Sequence, residues 1–456
     1  MNSLEPGQTR IGHLIDGIAD TPYQAAMLEI ADGNVLLSVP YVPGERQFLA
    51  TEEWFTNREP PPSLIFHDGE GAITLTGLRW RGHSMSQYST GRIWVDAAIF
   101  ELPKRLRPEF RFREVVSELD GLRAFAGFRS IEYERAIVDG RLRTVATIAA
   151  HEDVQWRYGG FSFRVRANAP WQLDSSGDFR AASDAVVGSS SSRRATLDAH
   201  ITAQWPIRAL LLLAYGRPLR WRAHRVRDDD FPRWMLAGPP REPQLTEALV
   251  RRTLKEFSEP AIDGNELPIF HLNDLGSQRL RRWMKLYSDP VFRRAIEPTV
   301  EVINGASKFL EPQILLTVLG LDAMGHYRDQ SRRRNVRLHE QIERCVRASG
   351  IDLNAIGSPE GIARALSNVN NDLKHPDRPN RPDSQQLRLA ADLSMLIMRS
   401  QVFDLLGLSA RSRQYFAGGN EVYQLNESFR LNDIFINDDG HFVPRPGSNQ
   451  GNQKPR

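Results

Sequence analysis

The chain has 456 residues, 41% of them hydrophobic, and its 59 basic and 56 acidic residues leave a formal charge of only +3. That length and composition suit two or three globular domains and exclude a chain dominated by disorder, while the near-balanced charge excludes a strong overall field toward nucleic acid or membrane, so any basic site is local. The single cysteine, Cys345, excludes an internal disulfide and any zinc site built from paired cysteines.

The first residues, MNSLEPGQTRIGHLIDG, lack the basic start and apolar stretch of a secretion signal, and the longest apolar runs, ALLLLAYG and ILLTVLGL, fall short of the roughly 20 residues that span a bilayer. A soluble chain without a membrane partner, kept in a reducing cytoplasm, is expected. From about residue 10 to about residue 228 the punctuation is that of β-structure, with short alternating runs separated by turn pairs. Asp32-Gly33, Asp68-Gly69 and Asp139-Gly140 each lie between two strand-like runs and predict hairpins. With GRIWVDAAIF, FSFRVRA and LRWRAHRV, the strands suffice for an antiparallel sandwich or a barrel-like domain. Ser175 to Arg194, rich in serine, glycine and alanine, is expected as a flexible loop, and a helix follows near Trp205 to Ala214.

Prolines and charge in Arg227 to Gln244 interrupt this pattern, and beyond them apolar residues recur at helical spacing, as in Leu338, Ile342, Cys345 and Val346. An α+β, multidomain chain is therefore expected, with a β-rich unit over residues 1–235, a linker and first helices over 236–310, a helical bundle over 311–432 and a disordered tail over 433–456.

Phosphate-loop, dinucleotide, HExxH and GxSxG signatures are all absent. Asp322 and His326 share a helix face at i and i+4 but have no third ligand nearby, so a buried or partner-bonded histidine is expected there rather than a metal site. The HED at His151 to Asp153 and the DDD at Asp228 to Asp230 read as solvated turns.

The helix starting at Ser358 carries the most chemistry. Ser358 suits an N-cap, with Pro359 and Glu360 in the first turn. A step of about 100° per residue puts Ile362, Leu366, Val369 and Leu373 on one apolar stripe and Arg364, Asn368, Asn371 and His375 on an opposite polar ridge, with Asn370 on the flank. Lys374 and His375 fall in the last turn, where the helix dipole favours cations, and Pro376 disfavours α geometry at His375. Two adjacent asparagines weaken helix propensity, a cost that asks for a reason.

The run NNDLKH resembles the signature of the HEPN domain, a small helical bundle marked by an arginine, four to six residues and a histidine, often with asparagine after the arginine. Asn371 and His375 match that frame, and Asn370 stands in the arginine slot. The layout of a β-rich half, the block LPIFHLNDLGSQRLRRWMKLY and a C-terminal bundle is similar to the ApeA family of bacterial anti-phage proteins. The resemblance implies a HEPN-like bundle, a sensor-like β-domain that restrains it until a phage-derived trigger arrives, a homodimer through the bundle, and metal-independent RNA cleavage without a cofactor. It implies a catalytic set of His375, Asn371 and Asn370, with Arg364, Asn368, Lys374 and Arg378 binding RNA. The alternative is a catalytically silent module gripping RNA or a partner protein, helped by the basic run from Arg328 to Arg337, or a purely structural dimer.

Overall fold

Two-residue turns organise the first strands. Asp32 and Gly33, both at positive φ (53° and 66°), join β2 (Gln24–Ala31) to β3 (Asn34–Tyr41), the backbone twist that a tight hairpin requires. In the computed structural model, residues 2–446 are described other than 16–23, 85, 129, 150–152, 170, 174, 177, 183, 235–238, 240, 258–266, 330–335, 376 and 378–380. They form two units. The first comprises Met1–Arg123, Phe128–Trp205 and Arg220–Asp263, and the second Ala124–Gly127, Pro206–Leu219 and Gly264–Arg456.

In the first unit β1 (Thr9–Ile15) pairs with both β2 and β4 (Ser63–Asp68), β4 with β5 (Gly71–Ser84), β5 with β6 (Ser89–Ile99), and β6 with β3. Every pairing is antiparallel and the circuit closes, so these six strands make a barrel without a free edge. Leu28, Leu37, Phe66, Ile73, Ile93 and Val95 fill it together with Phe55 from α1 (Leu49–Thr56), whose ring stacks on Tyr41 at 5.5 Å. The hairpin that turns at Asp68-Gly69 is held by the Asp68 carboxylate, which accepts hydrogen bonds from the Glu70 and Gly71 amides at 2.8 and 3.2 Å.

The chain continues through β7 (Phe112–Leu119), α2 (Leu122–Ala126), the hairpin β8 (Ile131–Val138) and β9 (Arg141–Ile148), β10 (Val154–Tyr158), β11 (Phe161–Asn168), the short pair β12 (Trp171–Leu173) and β13 (Phe179–Ala181), β14 (Asp184–Ala195), α3 (Leu197–Tyr215), β15 (Trp221–Arg227), β16 (Thr246–Val250) and α4 (Arg251–Phe257). A second antiparallel sheet runs in the order β10-β11-β14-β7-β15-β16, and β16 also pairs with the end of β6. This arrangement corrects two expectations. The serine-rich stretch read as a loop contains β14, an interior strand whose Ser189 is buried and bonded to His200; serine tolerates a strand when its hydroxyl finds a buried partner. Residues 246–257, assigned to a linker, are a strand and a helix of the first unit.

The second unit is helical: α5 (Leu272–Ser288), α6 (Pro290–Ile303), α7 (Leu310–Arg328), α8 (Leu338–Ala348), α9 (Pro359–Lys374), α10 (Ser384–Leu405), α11 (Ala410–Ala417) and α12 (Asn420–Leu431), then a small hairpin of β17 (Ile434–Ile436) and β18 (Phe442–Pro444). Its core sets Ile314, Val318, Leu321 and Met324 of α7 among Ile342 and Cys345 of α8, Ile362 and Leu366 of α9, and Leu393 and Ile397 of α10. Gly325 lets α7 and α8 approach until a Cβ there would overlap the Gln341 carbonyl. Arg399, 4% exposed, donates to the Leu213 and Ala214 carbonyls at 2.7 and 3.2 Å and pairs with Glu421, so one α10 guanidinium holds the end of α3 and α12. The expected disordered tail is also corrected. Residues 434–444 form the hairpin, anchored when the Ile436 amide donates to the Ile356 carbonyl at 2.8 Å and Arg445 to that of Ala355 at 3.1 Å. Among the described residues no helix is long and apolar enough to cross a membrane.

Candidate functional site

Two serine–histidine contacts in the first unit look catalytic and are not. Ser117 meets His224 at 2.8 Å, with the other ring nitrogen 2.9 Å from Thr253, and Ser189 meets His200 at 2.9 Å, with the other nitrogen 3.0 Å from the Phe112 carbonyl. Both histidines are fully enclosed and both serines nearly so, and burial pushes the His200 imidazole below its usual range. No substrate reaches these hydroxyls; they are satisfied core groups of the sheet.

The accessible chemistry lies on α9. Ser358 caps its start, accepting from the Gly361 amide at 3.1 Å, and its own hydroxyl donates to Asp438. Ile362, Leu366 and Val369 are buried as the apolar stripe requires, which fixes the rotation of the helix. At the other end His375 leaves helical geometry (φ −120°, ψ 88°) while its amide donates to the Asn371 carbonyl at 3.0 Å. Lys374 and His375 are exposed, and Asn371 is half-buried.

The ridge is less open than helical spacing predicts. Arg364 pairs with Glu360 one turn earlier at 2.6 Å and lies under Gly440, and Asn368 donates to the Gly440 carbonyl at 3.4 Å. The hairpin after α12 therefore covers the first part of the ridge, because a segment expected to be disordered is folded onto it. The expected RNA-binding role of Arg364 and Asn368 has to be shared with these contacts. Arg378 lies outside the described residues, as do 330–335 of the basic run.

Asn370 departs furthest from expectation. It is 1% exposed, and neither its side-chain oxygen nor its nitrogen has a hydrogen-bond partner among the described residues. The flank on which the sequence places it is sealed by the neighbouring helices, so the slot that resembles the signature's arginine position opens inward. An uncompensated buried amide costs about 1–3 kcal/mol, a cost that persists where a site needs the group.

Asp322 is a half-buried carboxylate on α7. Burial pushes the Asp322 carboxyl up, and the charges of His326, Lys374 and Arg294 pull it part of the way back. Among the described residues Asp322 makes no ion pair or hydrogen bond with any of these three. His326, which its i, i+4 spacing from Asp322 led one to expect buried or partner-bonded, is exposed. Among the described residues no group of three or more histidine, cysteine, aspartate or glutamate side chains is arranged to hold a metal. Cys345 is no candidate nucleophile, since burial pushes its thiol up to about 12.

On the opposite flank of α9 a cleft of about 670 Å³ opens between the helix, the approach to α10 and the hairpin, lined by Asn368, Asp372, Arg381, Gln386, His441 and Phe442. His375 closes the ridge at the end of α9. An exposed imidazole and an exposed ammonium at one helix end offer a group for proton transfer and a cation. No protein-family model, curated protein or solved structure matches the chain.

Proposed function

We propose that the helical unit is a HEPN-type, metal-independent endoribonuclease whose centre lies at the C-terminal end of α9. The observation that carries this is the exposed His375, which closes α9 beside the exposed Lys374 and one turn after Asn371, whose carbonyl accepts from the His375 amide. RNA cleavage by the neighbouring 2′-hydroxyl needs a base for that proton, an acid for the leaving oxygen and positive charge toward the phosphorane. His375 is the acid or base, Lys374 and Arg294 supply charge, and Asn371 orients the phosphate from the preceding turn. A second copy of the chain brings a second His375 across a two-fold axis. In an ApeA-like defence role, the β-unit senses an invader and restrains this centre in its absence.

The alternative is a silent HEPN-like module that binds RNA or a partner protein, and the burial of Asn370 favours it, because the charge normally supplied from that slot is missing. Incubating the purified protein with mixed RNA in excess chelator separates the two. The ribonuclease yields fragments ending in 2′,3′-cyclic phosphate; intact RNA retained on the protein identifies the silent module.

A further inference from the structure

A second polar cleft lies within the first unit, in the sheet formed by β10, β11, β14, β7 and β15. Its volume is about 810 Å³, within the range of a small-ligand pocket. Four arginines line it, Arg113, Arg157, Arg164 and Arg227, against one carboxylate, Glu114. Glu114 is 3% exposed and pairs with both Arg164 and Arg227, so a single buried negative charge serves two guanidiniums. Arg113 pairs with Asp229 at 2.7 Å, and Arg157 is exposed without an ion pair among the described residues. Positive charge is therefore in excess, and its crowding extends to Arg166, which burial and then the charge of Arg164 push below the usual arginine range.

The rest of the lining has a different chemistry. Tyr158 and Phe161 flank the turn Gly159-Gly160, where both glycines take positive φ (57° and 83°) and leave the backbone open to close approach. Ser190, Ser191 and Ser192 line another wall. A planar guanidinium pairs two oxygens of a phosphate or carboxylate at once, and aromatic rings beside it suit a planar heterocycle.

We propose that this cleft binds a nucleotide, its phosphate held by Arg157 with Arg113 and Arg227 and its base lying against Tyr158 and Phe161. The site belongs to the first unit alone and does not depend on what the α9 centre does. A nucleotide adds the negative charge that Glu114 by itself does not supply, and its binding is expected to weaken with salt.

Calorimetric titration of the full chain with AMP, inorganic phosphate and adenosine tests this. AMP is expected to bind about tenfold or more tighter than inorganic phosphate, and adenosine to bind far more weakly than AMP. Arg157→Glu, at an exposed position, is expected to leave the melting temperature unchanged and weaken AMP by about tenfold or more, and Tyr158→Ala to weaken AMP while sparing phosphate. Absence of AMP binding, equal affinity for phosphate and AMP, or an Arg157→Glu protein that binds AMP like the natural one would each overturn the proposal.

Discussion

Replacing Asn370 by leucine removes two buried polar atoms that have no partner among the described residues. Asn370→Leu is therefore expected to keep or raise stability by about 1 kcal/mol in urea unfolding and, with Asn370 in the catalytic set that the HEPN resemblance implies, to lower RNA cleavage. A variant that cuts RNA as fast as the natural protein would remove Asn370 from the site. The charge-restoring change Asn370→Arg, attractive from the sequence, has the opposite outlook: a guanidinium placed at a 1% exposed position is expected to destabilise by about 3 kcal/mol or more before it reaches any phosphate. His375 was legible because proline and the helix end announce it. The burial of Asn370 was not, since a flank position on a helical wheel is open or closed according to neighbours that local sequence does not specify. Asp68 provides a pH-dependent counterpart in the barrel. Burial would raise its carboxyl, but the hydrogen bond from Arg10, the amides of Glu70 and Gly71 and the Arg10 charge outweigh it and hold the pKa below the usual value. A depressed carboxylate stabilises the fold above the unfolded pKa of about 4, and that stability is lost as pH falls through the folded value. Asp68→Asn leaves Arg10, with a side chain 2% exposed, only the more distant and exposed Glu70 at 3.7 Å as an anion; it is expected to cost about 3 kcal/mol near neutral pH and to flatten the acid limb of a denaturation profile.

The β17–β18 hairpin is the element with the clearest structural role in the site. Gly440 sits at φ +79°, and a Cβ there would lie 2.6 Å from the Ala365 amide nitrogen and the Arg364 Cβ. Gly440→Ala is expected to loosen the hairpin by about 1–3 kcal/mol, read as faster hydrogen exchange at the Ile436 and Arg445 amides, which are bonded to the Ile356 and Asp433 carbonyls. Unchanged protection would mean that the hairpin does not depend on seating against α9. The stretch after β17, NDDGHFVPRPG, is polar and turn-rich and gave no sign of order; the hairpin is held by the buried Ile436 and by backbone bonds to residues far away. The serine-rich β14 was hidden for a related reason: its buried Ser189 hydroxyl is satisfied by His200 and Gln204 on the following helix. By contrast, the Asp-Gly hairpins and the helices from α5 onward were readable, since turn chemistry and the period of 3.6 are local signals. Closure of the barrel was not, because β1–β4 and β3–β6 join distant segments.

For the whole molecule, the ordering of functions turns on the α9 centre acting across two copies of the chain. Sedimentation at micromolar concentration is expected to show a dimer, with or without RNA, and a strict monomer under both conditions would count against a shared centre. The central claim is that His375 transfers a proton during metal-independent RNA cleavage. Its most direct test is the cleavage rate of His375→Ala against the natural protein, on one RNA in excess chelator. His375 is exposed at a helix end, so its removal leaves the core intact. A fall of about a hundredfold or more, with the melting temperature and RNA affinity retained, is the predicted result. A His375→Ala protein that cleaves that RNA as fast as the natural one would contradict the account.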